Sequence, residues 1–208
     1  MLISVQSLEI TLFYHLRPLL MICLRISWKE ADILRALWRK SIMIVLGIDP
    51  GYGILGYGLV WYDNGKFKPI EYGTITTPVK SPITDRLPTI YSRICGILDE
   101  YRPNVVSIEK LFYGHNQTTV IDVAQARGCA ILAAAQRGIE VREYTPMQIK
   151  QAVVGYGRAE KRQVQYMVTK ILNLESIPKP DDAADALAIA ICHCQNSVME
   201  GMLSKPMR

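Results

Sequence analysis

The sequence predicts an α/β domain built on a mixed five-stranded sheet with helices on both faces. Two observations carry that expectation. Three strand-like runs follow one another from residue 43 to 77, the last two joined by Asp63-Asn64-Gly65, a strong hairpin turn signal. After them, segments of helical period alternate with short apolar runs, giving the order βββαβαβ followed by helices.

Met43 to Ile48 is a continuous apolar, β-branched run closed by Asp49-Pro50-Gly51, the pattern of a buried strand ending in a turn. Gly56 to Tyr62 and Phe67 to Thr77 supply two further strands, antiparallel across their hairpin. A helix is expected over about 83–101, with Ile90, Ile94, Ile97 and Leu98 on one face and Pro103 stopping it. Asn104 to Ile108 is the fourth strand, with Glu109 at its end. A polar, glycine-bearing loop over 111–119 then leads to a helix at about 119–137, whose Ala124, Gly128, Ala133 and Ala135 permit close approach of the core or of a partner subunit, the core being the preferred reading. Glu140 to Tyr144 is the fifth strand. Helices follow from Pro146, from Glu160 to Leu172, and from Asp181 to about Gln195.

With 208 residues, half of them apolar and about a fifth charged, the chain has room for one domain with a full core and too little for two large lobes. The net charge is +5, but residues 1–42 hold six Lys/Arg against three Asp/Glu and leave only +2 elsewhere. Global charge is therefore a weak pointer to nucleic acid, and local clustering has to carry that argument. The five cysteines (Cys23, Cys95, Cys129, Cys192, Cys194) are irregularly spaced, unlike a disulfide framework, so a reducing cytoplasm is expected. Cys192-His193-Cys194 lies in an apolar helical pattern and reads as a helix face rather than a zinc site. The apolar stretch from Leu8 to Ile26 is interrupted by His15, Arg17, Pro18 and Arg25, so no membrane span is expected. Residues 1–42 read as an extension outside the domain, translated from an early start; the domain is expected over 43–197, with a tail at 198–208.

Gly51-Tyr52-Gly53-Ile54-Leu55-Gly56 matches the dinucleotide fingerprint, but a strand follows it where that motif needs a helix. The acidic residues are more informative. Asp49 and Glu109 stand at strand ends. Asp182 and Asp185, three apart, share one helix face, while Asp181 is turned by about 100° from Asp182. Taken alone, Asp49 is good turn chemistry, and Asp182 and Asp185 suit a helix cap and a helix dipole. Together the four could converge at one sheet edge. Like charges that close raise one another's pKa and call for a cation, and an all-oxygen set selects magnesium or manganese. A pair of such ions clamps both oxygens of a phosphodiester displacement. Lys150, Arg158, Lys161, Arg162 and Lys170 form the local basic cluster, read either as phosphate contacts or as a solvated face. Phe112 and Tyr113 either stack on exposed bases or pack at the strand's end.

Ile44-Val45-Leu46-Gly47-Ile48-Asp49-Pro50-Gly51, Ile108-Glu109 with Phe112, Gln125-Ala126-Arg127-Gly128, Val153-Val154-Gly155, Ala159-Glu160-Lys161 and the run from Asp182 to Ala190 closely resemble the RuvC family of Holliday-junction resolvases, from Met43 to about Ser197. The resemblance implies a ribonuclease-H-like nuclease domain and a homodimer that makes paired symmetric nicks in a four-way DNA junction, leaving 5′-phosphate and 3′-hydroxyl ends. It places the family's acidic positions on Asp49, Glu109, Asp182 and Asp185, its junction-side aromatic on Phe112 and its active-site lysines on Lys150 and Lys161. It also implies a preference for short thymine-rich sites and partnership with the RuvA and RuvB branch-migration complex. Residues 1–42 depart from the family pattern. Three other readings compete. An actin-like ATPase would need a second lobe that this length cannot hold; an RNA-trimming relative would share the acids; a non-catalytic junction binder would have no use for four carboxylates facing phosphates.

Overall fold

In a computed structural model of the chain, residues 42–78, 80–111 and 117–203 are described, the side chains of 117–119 and 198–203 excepted. Five strands, β1 (Ile42–Asp49), β2 (Ile54–Asp63), β3 (Lys66–Thr76), β4 (Val105–Glu109) and β5 (Glu140–Tyr144), form one sheet in the order β3-β2-β1-β4-β5. The β1-β2-β3 meander is antiparallel, whereas β4 and β5 run parallel to β1, so the sheet is mixed as expected. Among the described residues five helices accompany it: α1 (Ile83–Tyr101), α2 (Gln117–Ala135), α3 (Pro146–Val154), α4 (Lys161–Ile171) and α5 (Asp181–Leu203). Helix α5 continues past the expected limits at Gln195 and at residue 197, because its apolar period does not break there.

Two hydrophobic cores cover the two sheet faces. Leu46, Ile48, Leu59, Val106 and Ile108 pack against α1 and α2, whereas Val45, Val60 and Tyr144 pack against α3, α4 and α5. Strand β1 is buried on both sides, which is why it reads as an unbroken apolar run instead of alternating. Alternation along the chain puts Val45, Gly47 and Asp49 on the α5 face.

Helix α5 lies close to the sheet because three strand positions facing it are glycine. A Cβ at Gly47 would lie 2.7 Å from the Ala190 nitrogen, one at Gly58 would lie 2.9 Å from that of Leu187, and one at Gly56 would collide with the Asp182 carbonyl. The helix answers with small residues, Ala183, Ala186 and Ala190, all buried. Gly56 and Gly58 therefore serve helix packing, and the fingerprint-like spacing runs into a strand, β2 from Ile54, where the dinucleotide motif needs a helix.

Helix limits follow local chemistry. Thr145 and Gln148 form a reciprocal capping box before α3, Pro146 is its first residue, and Gly155 closes it at φ 95°. Arg102, in the left-handed region, ends α1. Cys192 and Cys194 are buried in α5 and unbridged, and between them His193 Nδ1 lies 2.8 Å from the Tyr144 hydroxyl on β5. That tripeptide is core, as read. Among the described residues no helix is long and apolar enough to cross a membrane.

Candidate active site

Parallel pairing sets Ile48 of β1 beside Ile108 of β4, so Asp49 and Glu109 follow at the same level on neighbouring strands. Ser107, two residues before Glu109, donates its hydroxyl to the Ile189 carbonyl of α5 (2.8 Å), which shows that Glu109 projects toward the α5 face. Asp49 pairs with Gly56, and the Asp182 backbone lies directly over Gly56. One turn on, Asp185 shares the helix face of Asp182. Two strand ends and the first turns of one helix thus bring all four carboxylates to one sheet edge.

The electrostatics record this convergence. Burial, followed by the charges of Asp185, Glu109 and Asp182, raises the Asp49 pKa from the ordinary 3.8 to about 8. Burial and then Asp185 raise that of Glu109, against the opposing charge of Lys150. Asp185 is raised by burial and by Asp181 and Asp182, against Lys161. Among the described residues no three such side chains close into a ready-made metal cage. The set is nevertheless made only of hard oxygen donors carrying uncompensated negative charge, chemistry that suits a divalent cation of the magnesium class. Asp182, the second residue of α5, does not take the capping position that the sequence left open; Pro180 precedes the helix.

The turn after Asp49 is tied down from the far side. Thr77 donates its hydroxyl to the Tyr52 carbonyl (2.9 Å), and the Arg86 guanidinium, 7% exposed, lies 4.2 Å over the Tyr52 ring while its Nε donates to the Ser81 carbonyl (3.0 Å). Lys161, the first residue of α4, sets its Nζ 3.0 Å from Asp185 and 3.4 Å from Asp181. Lys150 on α3 is half-buried and near enough to act on Glu109. Arg158 and Arg162 are exposed on the α3–α4 loop and on α4, with no carboxylate partner among the described residues. Phe112 and Tyr113 lie outside the described residues.

Two contributors were not among the candidates. Asp181 shares Lys161 with Asp185, and Arg127 on α2 donates from Nε to the Glu109 carbonyl (3.2 Å). The Gln-Ala-Arg-Gly run contains Arg127, but no local pattern discloses that its guanidinium reaches the end of a strand.

The family model described as crossover junction endodeoxyribonuclease RuvC matches residues 45–193. The RuvC of Caldanaerobacter subterraneus subsp. tengcongensis is 59% identical over 157 residues, covering 76% of this chain and 95% of that protein. The RuvC of Clostridioides difficile is 54% identical over 161 residues, covering 77% and 95%. Among solved structures, Thermus thermophilus RuvC in complex with Holliday junction substrate superposes with a TM-score of 0.73 at 36% identity, over 76% of this chain and 96% of that one. The yeast mitochondrial resolvase Ydc2, 14% identical with a TM-score of 0.52 over 75% and 82%, shares the fold.

Proposed function

Because this chain belongs to the RuvC family of crossover junction endodeoxyribonucleases, we propose that Asp49, Glu109, Asp182 and Asp185 are the residues with which it cuts the Holliday junction. The chain is a nuclease that hydrolyses DNA phosphodiester bonds in recombination and repair, and it uses a divalent metal ion. The observation that carries the site assignment is geometric: Asp49 and Glu109 end neighbouring parallel strands, and the first turn of α5, with Asp182 over Gly56, brings Asp182 and Asp185 to the same sheet edge.

Magnesium, as two ions per site with manganese able to substitute, is the cofactor we assign; when bound it activates water and offsets charge on the phosphate. Asp49, Glu109, Asp182 and Asp185 would hold it. Lys161 supplies positive charge beside Asp185, and Lys150 does the same near Glu109, so a phosphate approaching the acidic edge meets cations there. Arg158 and Arg162 extend this field outward, and Phe112 and Tyr113 stack on junction bases. Water attacks the phosphorus and the 3′-oxygen leaves, giving 5′-phosphate and 3′-hydroxyl ends. We place this work in the cytoplasm, together with RuvA and RuvB.

A homodimer is the assembly we assign. Helix α2 buries Ala126, Ala130, Ala133 and Ala134 in the core and leaves a second stripe outside: Ile121 (66% exposed), Ala124, Gly128, Leu132 (51% exposed) and Ala135. An apolar stripe with small residues at its centre suits a second copy of itself across a two-fold axis, and a four-way junction has matching near two-fold symmetry. Replacing Gly128 or Ala124 with a bulky residue is expected to weaken dimerisation and to shift products on a supercoiled cruciform plasmid from paired cuts to single nicks. Ultracentrifugation beside that assay tests it: linearisation by paired cuts at concentrations where the protein sediments as a monomer contradicts the dimer.

The nuclease domain, we infer, takes from residues 1–42 only Ile42, the first residue of β1, whose loss costs one edge pair with Asp63. Two facts support this: β1 begins at Ile42, and the curated relatives match over nearly their whole length within about three quarters of this chain. A chain starting at Met43 is expected to unfold within a few degrees of the full chain and to cut junctions at the same rate. Loss of cooperative thermal unfolding in the short form would show that the extension belongs to the core.

A further inference from the structure

We propose that Arg127 is a positioning residue for Glu109, acting through the peptide bond that follows it; the inference rests on the nuclease reading of Glu109. That peptide is held at both polar ends. Its carbonyl, Glu109 O, accepts from Arg127 Nε (3.2 Å), and its amide, Lys110 N, donates to the Tyr144 carbonyl at the end of β5 (2.8 Å). Fixing the plane at two points fixes the backbone torsion on the Lys110 side of Glu109. It thereby sets the aim of the Glu109 side chain and the direction in which the chain leaves β4.

Arg127 is itself anchored. Its Nη2 donates to the Glu143 carboxylate in a charge-assisted bond, and Glu143 stands beside Ile108 in the parallel register, one position before Glu109 and Tyr144. Glu143, two residues on from Val141, shares its sheet face, and Val141 packs in the α1/α2 core, so the guanidinium works from the face opposite the carboxylates. Arg127 therefore acts on Glu109 from behind, without touching the reacting groups. Its planar fork serves both partners together, whereas a lysine ammonium at the end of a flexible stem lacks that geometry. The side chain is only 17% exposed, consistent with a fixed brace rather than a mobile surface cation.

The experiment compares Arg127→Gln and Arg127→Lys with the parent chain in three readouts: cleavage rate at saturating four-way junction with magnesium, junction affinity in EDTA, and hydrogen exchange of a peptide spanning Ile108 to Lys110. Arg127→Gln is expected to lower the saturated rate by about 10–100-fold, the scale of a small misplacement of a catalytic group. Affinity should stay within about threefold, as expected for a residue behind the sheet that neutralises no phosphate. Exchange over 108–110 should accelerate, and Arg127→Lys should fall between the two in rate and exchange. A parent-like rate or unchanged exchange in Arg127→Gln overturns the proposal, as does a fall in affinity that matches the fall in rate, which would make Arg127 a DNA contact. Should Arg127→Gln not fold, the same readouts on Arg127→Lys decide it. The exchange measurement needs no nuclease activity, so a parent chain that cuts nothing would sink the nuclease reading and leave the brace separately visible.

Discussion

Asp49→Asn is expected to abolish junction cleavage, leave junction binding in place and make the metal-free protein more stable. Asp49 sits at the centre of the acidic set, where burial and three other carboxylates push its pKa up to about 8. Asparagine keeps the shape and removes the charge that attracts a cation, so cleavage should fall by about a thousandfold or more, the upper scale for losing one electrostatic contact to developing charge. Binding should survive because carboxylates repel phosphates and the basic side chains are untouched.

The stability effect has a definite sign. A carboxylate whose folded pKa is raised binds more protons folded than unfolded between its two pKa values. Stability therefore falls as pH climbs through that window, here from about 4 to about 8. The penalty is absent below it and complete above it. In EDTA, Asp49→Asn should raise the melting temperature by about 5 °C or more at pH 8 and by much less at pH 5. Magnesium should stabilise the parent more than the variant. Cleavage by Asp49→Asn at a parent-like rate, or a destabilised variant at pH 8, would remove Asp49 from the site.

The second large effect is expected from a single added methyl group. Gly56→Ala drives a Cβ into the Asp182 carbonyl, and neither partner is a flexible side-chain end: one is a central strand, the other the first turn of α5. The helix must lift. Overpacking of this kind costs about 1–3 kcal/mol, or about 2–12 °C in a chain of this size. The displacement also separates Asp182 and Asp185 from Asp49 and Glu109. Cleavage should then drop by about 100-fold, more than the stability loss alone would account for at a temperature where the variant stays folded. Circular dichroism melting and single-turnover cleavage at 25 °C check the two parts. A variant that melts and cuts like the parent would mean that α5 does not rest on Gly56 as described.

How far the site was legible depended on whether its chemistry was local. Asp49 and Glu109 were readable because an acid directly after a buried apolar run has little packing explanation, and the strand ends fell where expected. Asp182 and Asp185 were readable as a shared helix face, but their alternative as cap and dipole partner could be separated only once the helix start and the strand beneath it were seen. The glycines were noticed for the wrong motif first. Nothing in Gly-x-Gly-x-x-Gly says that the last glycine makes room for a helix more than a hundred residues later. For Ala124, Gly128 and Ala135 the preferred core reading was overturned, since helical period cannot say which of two apolar stripes faces inward; Ala133 went to the core and those three did not. Arg127 and Asp181 escaped for a similar reason. Their partners are set by tertiary packing, and a lone Arg or Asp on a helix has an ordinary surface role by default.

Four carboxylates gathered at one sheet edge are expected to cut junction DNA with the help of a divalent ion. The most direct test is a cleavage assay on a strand-labelled four-way junction and on a linear duplex of the same sequence, each with magnesium and with EDTA. Symmetric cuts in two opposing strands of the junction, with ligatable 5′-phosphate ends, are expected only when magnesium is present, and no cutting of the linear duplex. Equal cutting of both substrates, or junction cutting that persists in EDTA, would contradict that expectation.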